Sequence, residues 1–285
     1  MPAFSTPEPI QAVIEFAVGD ARITASDRDD TVVEVRPSDE SRDADVRVAE
    51  QTRVEYLAGR LVVKGPKQRS LFGRPGSIDV IVELPARSQL QGTTGVGALR
   101  GEGRLGDCRV KTGVGDIVLD QTGALDVTTG AGAVTVDQVT GTADVTTSSG
   151  QIRLRDVGGR AAIKTSNGDT WIGEVHGDLR IKAANGNVDV DHARAGVEAA
   201  TANGNLRVGG LSRDTASLKT SMGAIEIGVQ DGAVARLDVQ TQFGKVRNEM
   251  ETSGEPGPVD QVVEVYARTS MGDITIRRTP EGVVS

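Results

Sequence analysis

The sequence predicts an all-β fold, a β-solenoid resembling a parallel β-helix, with about ten 18-residue coils behind an irregular β entry cap. Three observations predict it. Glycine recurs at Gly97, Gly115, Gly132, Gly150, Gly168, Gly186, Gly204, Gly223, Gly244 and Gly272, with spacings of 18, 17, 18, 18, 18, 18, 19, 21 and 28. So strict a period is the mark of a repeat architecture. Around each glycine, apolar residues alternate with the period of two that a half-buried strand requires. The composition of 36 glycines and only seven Phe, Tyr and Trp residues suits sharp corners round a thin aliphatic core.

Within one period, two short strands flank the phrase Thr-x-x-Gly. Two positions after the glycines stand Ile117, Val134, Ile152, Thr170, Val188, Leu206, Ile225, Val246 and Ile274. Four positions after stand Leu119, Val136, Leu154, Ile172, Val190, Val208, Ile227, Asn248 and Ile276. The preceding strand adds columns running from Cys108 to Val197 and from Val110 to Ala199, and all four columns are expected to face the core. Val139, Val157, Val175, Ala193 and Leu211 supply an inward corner that hairpins would not need. Coils stacked about 4.8 Å apart explain the constant length, because a one-residue slip exchanges buried and exposed faces.

The glycine marks the turn between faces, where a residue without Cβ permits positive φ or close approach. Asn167, Asn185 and Asn203 precede it as turn residues. The phrase Thr-Ser-x-Gly-[Asp/Asn]-x-x-[Ile/Val], as at Thr165–Ile172 and Thr269–Ile276, resembles the bacterial β-strand-repeat family of unknown function catalogued as putative adhesins. The likeness covers about two thirds of the chain. It implies a β-solenoid and, for some relatives, an association with the cell envelope or its stress responses; it supplies no catalytic residues.

In chain order, residues 1 to about 9 read as a frayed lead-in. Irregular strand-like runs follow at 12–16, 22–25, 31–35, 46–48, 53–57, 60–63 and 77–84. Residues 1–90 are assigned as a cap continuous with a repeat domain at 91–279, and 280–285 as a tail. Residues 37–45 and 64–76 read as surface loops, the second carrying Lys64, Lys67, Arg69 and Arg74 beside Leu71 and Phe72. Residues 249–258 read as an insertion before the last coil, and Arg277, Arg278 and Pro280 as a stop to further stacking.

A net charge of −8 with no basic run longer than two argues against nucleic acid as a partner. No basic-plus-apolar leader and no transmembrane segment is visible, so the expected address is cytoplasmic, with peripheral envelope association as the alternative. Cys108 falls in a core column and reads as an inert thiol. Gly101–Gly106 spells G-x-G-x-x-G, but the strand-like residues after it deny the helix a dinucleotide site needs. His176 and His192 occupy different columns without partnering carboxylates, so no metal or other cofactor is expected.

The outward column three after each glycine reads Val118, Thr135, Arg153, Trp171, Asp189, Arg207, Glu226, Arg247. Arg153, Trp171, Asp189 and Arg207 form the candidate surface binding site, with Lys164 and Lys182 expected at the neighbouring corner. Either Arg153 packs on the indole by a cation–π contact, or the row is a platform for a sugar ring or a partner side chain. The functional expectation is a noncatalytic scaffold or binding protein with an unidentified protein or carbohydrate partner, monomeric or weakly oligomeric. A carbohydrate-active β-helix enzyme and a cytoplasmic filament of stacked solenoids are the alternatives.

Overall fold

The computed structural model describes residues 2–66, 75–250 and 261–279. The chain divides into two compact units, residues 1–141 with 145–147, and residues 142–144 with 148–285. Both are β-solenoid stacks in which every coil gives one strand to sheet I and one to sheet II.

The first unit contains β1 (Ala3–Ser5), β2 (Gln11–Ser26), β3 (Asp30–Pro37), α1 (Asp43–Gln51), β4 (Arg53–Leu57), β5 (Arg60–Lys64) and β6 (Ile78–Pro85). It continues with β7 (Gln89–Val96), β8 (Leu99–Arg104), β9 (Cys108–Val114), β10 (Ile117–Thr122), β11 (Leu125–Ala131) and β12 (Val134–Val139). In β2 the runs at 12–16 and 22–25 are one coil: residues up to Val18 pair with β5 and β7 in sheet I, and those from Gly19 pair with β6 and β8 in sheet II. Gly19 makes the turn at φ +136°. Thus β2 lies between two coils that follow it in sequence, β5 with β6 and β7 with β8. Regular parallel stacking then continues through β9 to β12.

The expected frayed lead-in is instead β1, paired antiparallel with β3, which pairs antiparallel with β6. Thr6 and Thr31 share a buried hydroxyl hydrogen bond of 2.8 Å that fixes this start. The loop expected at 37–45 is confined to residues 38–42, and the strand expected at 46–48 is replaced by α1. Alternating Val46 and Val48 imitate a strand, but Ala44 and Val48, four apart, lie on one helix face. A Cβ on Gly76 would strike both, so this glycine admits the helix. Asp45, fully buried, accepts the Ser77 N–H at 3.1 Å and pairs with Arg42 at 3.3 Å.

Strand β13 (Ala143–Ser149) has residues in both units. The second unit continues with β14 (Ile152–Val157), β15 (Ala161–Asn167), β16 (Thr170–Val175), β17 (Leu179–Asn185), β18 (Val188–Ala193), β19 (Val197–Asn203) and β20 (Leu206–Leu211). It ends with β21 (Asp214–Met222), β22 (Ile225–Gln230), β23 (Ala233–Phe243), β24 (Val246–Asn248), β25 (Gln261–Met271) and β26 (Ile274–Thr279). Odd-numbered strands from β15 pair in parallel in sheet I, and even-numbered ones from β14 in sheet II.

At the end of this unit the order changes. β25 and β26 pair with β21 and β22 on one side and with β23 and β24 on the other. The last coil in sequence is therefore the penultimate coil in space, and the expectation that residues after Ile276 stop the stack is corrected. Pro280 lies outside the described residues, as does most of the insertion expected at 249–258.

The glycine column records this order. A Cβ on Gly97 would strike the carbonyl oxygen of Gly19, one on Gly272 that of Gly223, and one on Gly244 that of Gly272. At Gly97 and Gly272, with φ +142° and +147°, the turn requires glycine both for its conformation and for the adjacent coil, whereas at Gly244 the adjacent coil alone requires it. Threonines three residues earlier reinforce the ladder: Thr269 donates to the Gly223 carbonyl at 2.9 Å and Thr241 to that of Gly272 at 2.8 Å. The expected core columns are buried, including all five corner residues from Val139 to Leu211. The exceptions are Val246 and Asn248, exposed because, among the described residues, their coil has a neighbour on one side only.

Candidate functional site

Sheet II of the second unit sets Arg153, Trp171, Asp189, Arg207 and Glu226 side by side as direct register partners on β14, β16, β18, β20 and β22. Their inward neighbours, such as Ile152, Thr170 and Val188, are buried, and the strand period then turns this row outward. Beyond Glu226 the row departs from the sequence reading. Thr275 of β26 is the next partner, and Arg247 lies opposite Thr275.

The Arg153 guanidinium carbon lies 5.4 Å from the centroid of the Trp171 ring, within cation–π range. Trp171 is half-buried, and a Cβ on Gly173 would come within 3.2 Å of its outer ring, so this small residue leaves the indole room to lie along its strand. Arg207 is held differently, donating from Nη1 to Asp189 at 2.5 Å and to Asp191 at 3.2 Å. Burial works to lower its pKa, but the hydrogen bonds and charges of Asp189 and Asp191 outweigh that and raise it above the ordinary arginine value. The guanidinium is thus a fixed cation.

Gln151, Arg153, Asp169, Trp171, Asn187 and Asp189 line a pocket of about 400 Å³. Asp169 accepts the Asn187 backbone N–H at 2.8 Å, which pins the turn at its edge. An aromatic surface framed by a cation, carboxylates and amides can stack an apolar ring face while hydrogen-bonding its polar rim. Asp191 was missed by the sequence reading, although its position two after Asp189 places it on the same outward face. Gln151 and Asn187 were missed because each reads singly as an ordinary corner residue.

Other sequence expectations need correction. Lys164 and Lys182 are partners of each other in sheet I, whereas Trp171 belongs to sheet II. His176 does have carboxylate neighbours: its Nε2 is 3.2 Å from Asp156 and 3.8 Å from Glu174. Glu174 is also bonded by Arg194. These contacts join residues from consecutive coils, beyond the reach of column reading. Among the described residues, no group of three or more His, Cys, Asp and Glu side chains is placed to hold a metal ion. Cys108 is buried, and desolvation, with the charge of Asp107, pushes its thiol up to about 12. The G-x-G-x-x-G segment runs through β8 and is followed by β9. Leu71, Phe72 and most of the basic loop lie outside the described residues.

Repeated coils with an outward row of aromatic and charged side chains define a β-solenoid repeat protein. More particularly, residues 12–277 match the family model described as Toastrack DUF4097, and the chain belongs to that family. No curated protein matches it. Among solved structures, the chain is similar to a putative cell adhesion protein from Clostridium sporogenes, at 11% identity over 98% of both chains with a TM-score of 0.26. It is also similar to a putative adhesin from Bacteroides fragilis, at 13% identity over 97% of this chain and 95% of that one, TM-score 0.36. A putative lipid binding protein from Parabacteroides distasonis matches at 10% identity over the same shares, TM-score 0.38. Among the described residues no helix is long and apolar enough to cross a membrane.

Proposed function

We propose that this protein is a noncatalytic binding protein whose solenoid presents the Arg153–Trp171–Asp189–Arg207 row to a carbohydrate or to a ring-bearing side chain of a protein partner. One observation carries the reading: the half-buried indole lies in a polar-rimmed pocket, held between a stacked arginine and an ion-paired aspartate. Cation–π packing and ligand stacking use opposite faces of the ring, so Arg153 can support the platform rather than occupy it. Asp169 and Asp189 are engaged by Asn187 and Arg207, an arrangement suited to holding a ligand in one orientation. The proposed address remains cytoplasmic, with peripheral envelope association as the alternative.

Trp171 is the only tryptophan, so its fluorescence reports on the site directly. Oligosaccharides chosen from a glycan array are expected to shift or quench that emission in the native protein. Trp171→Ala should lose array binding while keeping the circular dichroism of the native fold. Unchanged binding by the variant, or a lowered melting temperature with no ligand found, would leave Trp171 as local packing.

A further inference from the structure

The second unit ends in an open coil. Among the described residues, β23 and β24 pair only with β25 and β26, leaving an eleven-residue strand with one free backbone edge. Its inward column is Ala235, Leu237, Val239 and Thr241, all half-exposed, whereas their register partners Val263, Val265, Ala267 and Thr269 are buried. In sheet II, Val246 is 45% exposed beside the fully buried Ile274. At the corner, Met222, Met271 and Phe243 stand next to one another in consecutive coils, 48%, 49% and 74% exposed. Between Ala233 and Asn248 there is no proline and no inward-pointing charge, the usual devices that keep an edge strand from pairing.

We infer that this edge pairs with the same edge of a second copy, closing the two open cores against each other around a two-fold axis. Charge selects this occupant. Arg236 and Asp238 flank Leu237 on the outward face, so an antiparallel pairing centred on Leu237 sets Arg236 opposite Asp238 of the second copy, twice. Arg236 already pairs with Glu264 at 3.4 Å and Asp238 with Arg268 at 2.7 Å. The dimer would continue these into an alternating ladder, Glu264–Arg236 of one copy and Asp238–Arg268 of the other. Two-fold pairing also stops at two copies, because it consumes the open edge of each and repeats the same contact. Head-to-tail growth would need the opposite kind of end, and the first unit closes with the short antiparallel strands β1 and β4.

Sedimentation equilibrium of the full chain from low to high micromolar concentration tests the inference. A concentration-dependent species of twice 29.8 kDa is expected. Arg236→Asp should weaken it about tenfold, because like charges then face each other at two places. Adding Asp238→Arg to that variant should restore dimerisation, since the exchanged pair is again complementary. Leu237→Cys should give a disulfide-linked dimer on mild oxidation, as the axis puts the two copies of residue 237 opposite one another. A monomer at all concentrations, fibres in place of a dimer, or a dimer indifferent to the charge exchange would overturn the proposal. These outcomes are independent of Trp171, which can be followed in the same samples.

Discussion

The end coils of the two units, each taken by itself, meet one physical problem in different ways. Each tucks a strand out of sequence order into the stack: β2 lies between the coils β5–β6 and β7–β8, and β25–β26 between β21–β22 and β23–β24. Each inserted segment is thereby gripped on both sides. Beyond that the ends diverge. In the first unit the chain reverses direction, adding antiparallel β1, β3 and β4 and the helix α1, and Val33, Leu61, Val63 and Ile78 are fully buried. In the second, β23 and β24 repeat the parallel coil, and their inward side chains stay partly in water. A parallel coil hands its exposed face on to the next coil; short reversed strands and a helix end the series.

The largest expected effect concerns what both units share. Gly115→Val in the first and Gly204→Val in the second should each be strongly destabilising, because the added side chain meets the carbonyl of Gly97 or Gly186 at a φ of +148° or +147°. Losses of about 3 kcal/mol or more are expected, read by urea denaturation. Gly232→Ala, with φ +86° but nothing within 4 Å of the added Cβ, should cost only about 1 kcal/mol. Equal costs at all three positions would mean that conformation alone, and not the adjacent coil, requires the glycine.

A pair of leucines sharpens the difference between the ends. Leu61→Ala removes a fully buried side chain at the closed end and should cost about 3 kcal/mol. Leu237→Ala at the open end, measured at submicromolar concentration, should cost about 1 kcal/mol, since its side chain is half in water already. Equal costs would show that the second end is covered in solution.

The smallest effect is electrostatic and arises at both ends. Asp30 is held below the usual carboxylate range mainly by its hydrogen bond from Arg28, and Asp273 mainly by the Lys245 backbone N–H, with Arg247 3.0 Å away. A carboxyl whose folded pKa is depressed contributes stability above its unfolded pKa, near 4, and loses it as pH falls through the folded value. Asp273→Asn should therefore lower the melting temperature slightly at neutral pH and make no difference at about pH 2. Both carboxyls are partly exposed, so the shift should shrink further in high salt. A difference that grew towards acid would reverse the assigned direction.

Much of the fold was legible because a stacked coil is a local repeat. The glycine spacing, the alternation about it and the corner residues depend on neighbours in sequence, and each column from Ile117 to Ile227 appears buried as read. The outward row was legible for the same reason: with a period of 18, Arg153, Trp171, Asp189 and Arg207 had to become lateral neighbours. The sequence by itself thus determined the coil, its inward face and the residues of the candidate platform.

Only tertiary structure decided the order in which the end coils stack. Gly19 lies 78 residues before Gly97, yet their turns touch, and Gly272 precedes Gly244 in space while following it in the chain. Strand pairing energy depends on which edge is open and not on which segment was made first, so spacing carries no record of that choice. The same limit hid α1, where Gly76, distant in sequence, makes room for Ala44 and Val48. It also hid the carboxylates round His176, which gather across coils. Alternation says which way a side chain points; the edge that remains unpaired is settled only once all the others have been filled.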